Sequence, residues 1–158
     1  MVVTGLPKQQ RRRTINTSQL SSKEYTVTAL QWLALTALMT GIMALPYVVG
    51  RIGAIGLGGA MANPSEELAA KEPLWVRRGK AAHYNAVENL VVFATLVLIA
   101  QHMNLAGNPT VTLAAALYFF ARLAHYIVYC LGIPGLRTAA WSVGFAATLM
   151  VAWAIFKG

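Results

Sequence analysis

Four apolar runs, at about 25–49, 75–103, 110–131 and 136–156, constrain this chain most, because each is long enough for a helix to cross a bilayer core of about 30 Å. The expected fold is therefore an all-α membrane protein, a bundle of four transmembrane helices. Composition points the same way: at 158 residues, 57% hydrophobic and 11% charged, the chain is too apolar for a soluble domain of its size. Its formal charge of +8 does not indicate nucleic-acid binding, since the basic residues lie in the N-terminal tail and beside the apolar runs. No nucleic-acid partner is expected, and the lipid bilayer is the first partner.

Residues 1–24 read as a basic polar tail with a cluster at Arg11, Arg12 and Arg13, and residues 25–158 as one membrane domain. The tail is rich in Arg, Ser and Thr and has no acid before Glu24, a pattern shared with organellar transit peptides. A bacterial inner membrane is the expected location, with an organellar membrane as the alternative. Lys8, Arg11, Arg12, Arg13, Lys23 and Lys157 on one side balance Arg51, Lys71, Arg77, Arg78, Lys80 and Arg137 on the other, so the basic-residue rule leaves orientation open.

Between the first two runs, Arg51 to Leu74 is rich in Gly, Pro and small residues and reads as a long flexible loop of the lid or binding type. AGNP at 106–109 and GIPG at 132–135 supply the other two turns. Cys130 is the only cysteine, which excludes an intramolecular disulfide, a CxxC pair and a cysteine-based zinc site. His83, His125 and Glu88 have no recognised ligand spacing, and no metal is expected. Trp32, Trp75, Trp141 and Trp153 read as interfacial anchors.

The chemistry concentrates where KAAHYNAVE (80–88) runs into LVVFATLVLIA with no turn between. A charge inside a membrane helix is costly and therefore marks a functional site with a partner to find. Arg78, Ala81, Asn85 and Glu88 share one helix face, and on the third helix Tyr118, Arg122, His125, Tyr126 and Tyr129 form a polar stripe. Glu88 lies about 12 Å in from Lys80 and Arg122 about 15 Å in from Leu131. At like depth on antiparallel neighbours, Glu88 and Arg122 are expected to form an ion pair. The remaining groups, Asn85, His125, Tyr129, Arg137 and Arg51 or Arg78, would form a cationic pocket open to one membrane face and suited to a small anionic ligand. The alternative is that these polar groups only lock helix packing.

AHYNAVEN in the second helix, RLAHYIVY at 122–129 in the third and the Arg137–Thr138 pair resemble, in order, the motifs of the MAPEG family, the membrane-associated proteins in eicosanoid and glutathione metabolism, and most of all its small prokaryotic members. The resemblance covers about Gln31 to the end. It implies a left-handed four-helix bundle assembled as a homotrimer, with glutathione held between neighbouring protomers. Asn85, Glu88, His125, Tyr129, Arg137 and Thr138 would contact glutathione, with Arg78, one turn back on the same face, substituting for the arginine absent at Ala81, and Arg51 would be the catalytic group that stabilises its thiolate. A thiol with pKa near 8.5 needs such a cation to be a nucleophile at neutral pH. The chain departs from the family at Ala81 and Tyr84, where active members carry or often carry Arg.

Two functions follow. One is a glutathione-dependent transferase or peroxidase acting on a lipophilic electrophile. The other is a non-catalytic accessory subunit that docks into a larger membrane complex through its tail and a small-residue surface of the fourth helix at Ala140, Gly144 and Ala147.

Overall fold

The computed structural model of the chain describes residues 27–105 and 107–157. The tail, with Arg11, Arg12 and Arg13, lies outside the described residues. Helix α1 (Ala29–Ile42) starts at a reciprocal cap: the Thr28 hydroxyl accepts from the Gln31 amide, and the Gln31 side chain accepts from the Thr28 amide at 2.8 Å. Two backbone donors that a helix start leaves unpaired are thereby satisfied.

Helix α2 (Ala44–Met61) follows α1 almost without interruption, and the break at Met43 has an identifiable cause. Pro46 has no amide proton and its ring crowds the carbonyl four residues back, which belongs to Ile42, the last residue of α1. Tyr126 covers the break by donating its hydroxyl to the Met43 carbonyl at 2.9 Å.

The loop expected from Arg51 onward is a correction: the chain stays helical to Met61, with a single non-helical residue at Gly56 (φ 72°). Glycine costs about 1 kcal/mol in a helix interior, but no proline falls between Pro46 and Pro64, and extending an existing helix adds one hydrogen bond per residue. The segment therefore remains helical, breaking only where one glycine adopts a left-handed φ. Together α1 and α2 span 33 residues, about 50 Å of helix, so the far end extends beyond a bilayer core. A short helix α3 (Glu66–Ala70), capped by Ser65, then leads to α4 (Leu74–His102).

Helices α5 (Pro109–Leu131) and α6 (Pro134–Lys157) form an antiparallel pair. Asn108 caps α5 by accepting from the Thr110 amide at 2.8 Å, and Gly132 ends it in the left-handed conformation (φ 77°). Central to the bundle, α5 packs on α1, α4 and α6 through Ala114, Ala115 and Ala121, whose small side chains let the helices approach closely.

The bundle has two unlike halves. Toward the chain's two ends, Leu33, Phe93, Val97, Val111, Val151 and Ala154 form an apolar core, with the Phe93 and Tyr118 rings stacked at 3.7 Å. Toward the α5–α6 turn the contacts become polar. The outer surface is apolar almost throughout, with Leu38, Val91, Leu149 and Trp153 among its exposed side chains. A chain with this exterior and four membrane-length helices is an integral, multi-pass membrane protein.

Gly144 and Ala147, nominated for docking to a larger complex, are instead buried inside the chain against α5. They form the inner face of α6.

The α5–α6 turn supplies a stability test with its own control. A side chain at Gly132 would collide with the Arg78 guanidinium and strain the backbone, whereas Gly135 has open space around it. Gly132→Ala is expected to lower unfolding stability in detergent by about 1–3 kcal/mol and Gly135→Ala to change it by less than about 0.5 kcal/mol.

Candidate functional site

At the polar end, α4, α5 and the start of α6 enclose a cleft of about 200 Å³ lined by Asn85, His125, Tyr129, Arg137, Thr138 and Trp141. Helical spacing builds it: His125 and Tyr129 are one turn apart on α5, and Arg137, Thr138 and Trp141 fall within one turn of α6. His125 is 3% exposed and meets the Tyr129 ring edge-on at 5.5 Å. The Arg137 guanidinium stacks over the Tyr129 ring at 4.6 Å. Such a cation–π contact fixes the cation and leaves the edge of its fork available for an oxyanion. Thr138 donates back to the Pro134 carbonyl at 3.2 Å.

Behind the cleft lies Arg122, 2% exposed and without a carboxylate partner among the described residues. Its terminal nitrogens donate to Asn85, one to the side-chain oxygen at 3.4 Å and one to the main-chain carbonyl at 3.2 Å. Its charge lies over the Tyr118 ring at 5.5 Å, and its Nε and the Tyr118 hydroxyl have no hydrogen-bond partner.

The expected Glu88–Arg122 ion pair does not form within this chain. Asn85, not Glu88, faces Arg122, while Glu88 lies exposed on the outer side of α4. Helix geometry explains the difference. Three residues turn about 300°, so Glu88 sits some 60° round from Asn85, and that offset carries it off the buried face.

Two other nominated residues lie elsewhere. Arg51 is ion-paired to Glu72 at 2.5 Å, with the carboxylate side chain only 4% exposed, and lines no part of the cleft. The pair fastens α2 to the segment that leads into α4. Arg78 lies against Gly132 at the end of α5, where the terminal carbonyls favour a cation. Ala81, where the resemblance leads one to expect Arg, is exposed on α4.

Sequence reading therefore gathers five of the six cleft residues and misses Trp141. Its signal was available: Trp141 follows Arg137 by four residues and shares its helix face. A second polar contact also went unnoticed, between Tyr47 on α2 and His83 on α4, whose hydroxyl and Nδ1 are 3.1 Å apart.

Four membrane-spanning helices with a donor-rich cleft at one end define a small multi-pass membrane protein whose polar site opens beside lipid. The MAPEG family model matches residues 29–157, and the chain belongs to the MAPEG family. It is thus a membrane protein of the glutathione and eicosanoid metabolism family. No curated protein and no solved structure matches the chain.

The Arg51–Glu72 pair makes a prediction of its own. Removing one partner of a buried pair leaves an uncompensated charge. Glu72→Gln is expected to cost about 3 kcal/mol in detergent unfolding, and Arg51→Met with Glu72→Gln clearly less than the two single losses together.

Proposed function

We propose that this protein is a glutathione-dependent transferase or peroxidase that acts on a lipophilic electrophile arriving from the bilayer, and that it works as a homotrimer. The observation carrying this reading is the convergence of Asn85, His125, Tyr129, Arg137 and Thr138, far apart in sequence, on a single cleft. Family membership supports it independently.

The residues fit one end of glutathione. Arg137, the Asn85 amide and the Thr138 and Tyr129 hydroxyls offer hydrogen-bond donors to carboxylate and amide oxygens. At about 200 Å³ the cleft is smaller than the roughly 300–1,000 Å³ typical of small-molecule sites, so the rest of the tripeptide needs a second wall. A neighbouring protomer is the natural source. Glu88 supports the same assembly: a carboxylate exposed at mid-helix costs about 2.5–3.5 kcal/mol against lipid, and another copy would cover it.

Glutathione supplies the nucleophilic thiol. Within the chain, Arg137 is the cation whose field can favour the thiolate while its fork holds an oxyanion, because it lines the cleft and Arg51 is neutralised by Glu72. Thr138 can donate a second hydrogen bond if it gives up its contact to Pro134. The apolar helix faces beside the cleft would let a lipid-soluble electrophile approach without crossing water.

Titrating the detergent-solubilised protein with reduced glutathione tests the reading. Saturable binding at or below millimolar concentration is expected, weakened about tenfold or more by Arg137→Ala and only partly recovered by Arg137→Lys, which lacks the planar fork. A folded protein that shows no saturable binding at millimolar glutathione would sink the proposal.

A further inference from the structure

Arginine offers five N–H donors and no acceptor. An asparagine amide facing a buried guanidinium can therefore present only its oxygen. Arg122 donates to the Asn85 Oδ1 and to the Asn85 main-chain carbonyl, so it grips both oxygens of one residue. The Asn89 side chain donates to the same main-chain carbonyl at 2.8 Å and steadies that stretch of α4. Rotating the amide would set its N–H groups against the N–H groups of a buried cation. Polarity, more than the strength of a 3.4 Å contact, makes the alternative costly.

Arg122 itself has little freedom. Its stem lies beside Gly144 on α6, and its head rests above the Tyr118 ring. With Oδ1 held toward Arg122, the Asn85 Nδ2 is turned away from the guanidinium, and Asn85 also lines the cleft.

We propose that Arg122 is a positioning residue: it fixes the Asn85 amide with its oxygen toward the core and its N–H donors toward the cleft, so that this end of the cleft selects a carboxylate or carbonyl oxygen. The ligand clause rests on the glutathione reading; the orientation does not. Arg122 then contributes to recognition without touching the ligand. Its lack of a carboxylate partner has a use, because a carboxylate in place of the amide would offer the cleft no donor.

Two sets of measurements on the full-length protein in detergent test this. In thermal unfolding, Asn85→Asp places a carboxylate oxygen where Oδ1 meets Arg122, and Asn85→Leu places none. Asn85→Asp is expected to unfold at or above the wild-type temperature and Asn85→Leu below it, with the gap shrinking in an Arg122→Gln background. Equal destabilisation by Asp and Leu overturns the orientation. In titrations with reduced glutathione, Asn85→Ala and Arg122→Gln are each expected to weaken binding about tenfold, the double variant to be no weaker than either, and Arg122→Lys to recover most of the loss. Losses that multiply in the double variant, or no recovery with lysine in a folded protein, overturn the positioning role. If the wild-type protein binds no glutathione, the functional reading fails, and the amide orientation is still decided by the unfolding comparison, which needs no ligand.

Discussion

A guanidinium buried in the middle of a membrane bundle is the constraint to which the rest of this structure answers. Arg122 is 2% exposed and meets no carboxylate of its own chain among the described residues. Taking such a charge out of water costs several kcal/mol, and two hydrogen bonds of 3.2 and 3.4 Å with a ring contact at 5.5 Å return only part of it. The bundle accommodates the charge locally. The stem lies beside Gly144, Tyr118 lies beneath the head, and Asn85 on the facing helix supplies both of its oxygens.

This requirement also explains the division into two halves. Beyond Tyr118, toward the chain's ends, packing is apolar and close, and the Phe93–Tyr118 stack closes that region against Arg122. On the other side, helix contacts run through the Tyr47 and Tyr126 hydroxyls, His83 and the Met43 main-chain carbonyl. Apolar packing offers stability with little directional content, whereas hydrogen-bonded contacts define orientation. A polar cleft between helices depends on the second kind, supported by the first.

Much of this was legible in the sequence, and the failures share a cause. The length of the apolar runs locates all four spans, and the 3.6-residue helical period puts His125 and Tyr129 on one face of α5, while the Arg137–Thr138 pair comes from the resemblance. The continuation of α2 through the glycine-rich segment is not legible, because glycine content by itself reads as a loop, whereas a helix already running gains one hydrogen bond for each residue it adds. Glu88 was assigned to Arg122 from depth and charge alone. Charge complementarity suggested the pair, but a rotation of about 60° around α4 decided against it. Arg51 was misplaced for a related reason: its partner Glu72 lies in a segment whose path no periodicity predicts.

The residues that fell outside the cleft sharpen the functional reading. Of the basic side chains flanking the polar end, Arg51 is held by Glu72, Arg78 rests at the end of α5, and Arg122 is behind Asn85. Arg137 is the cation that lines the cleft, and its stacking on Tyr129 keeps the guanidinium plane fixed before any ligand arrives. A pre-oriented cation loses less entropy on binding than a free one, so a single arginine can anchor an anion in a small site. Arg137 and Asn85 both line the cleft, whereas Ala81, exposed on α4 one turn before Asn85, adds no polar group beside them. In the proposed trimer, groups from the adjoining protomer would stand in for the arginines that the resemblance leads one to expect at Ala81 and Tyr84, so binding strength should depend on assembly more than it would in a chain that kept them.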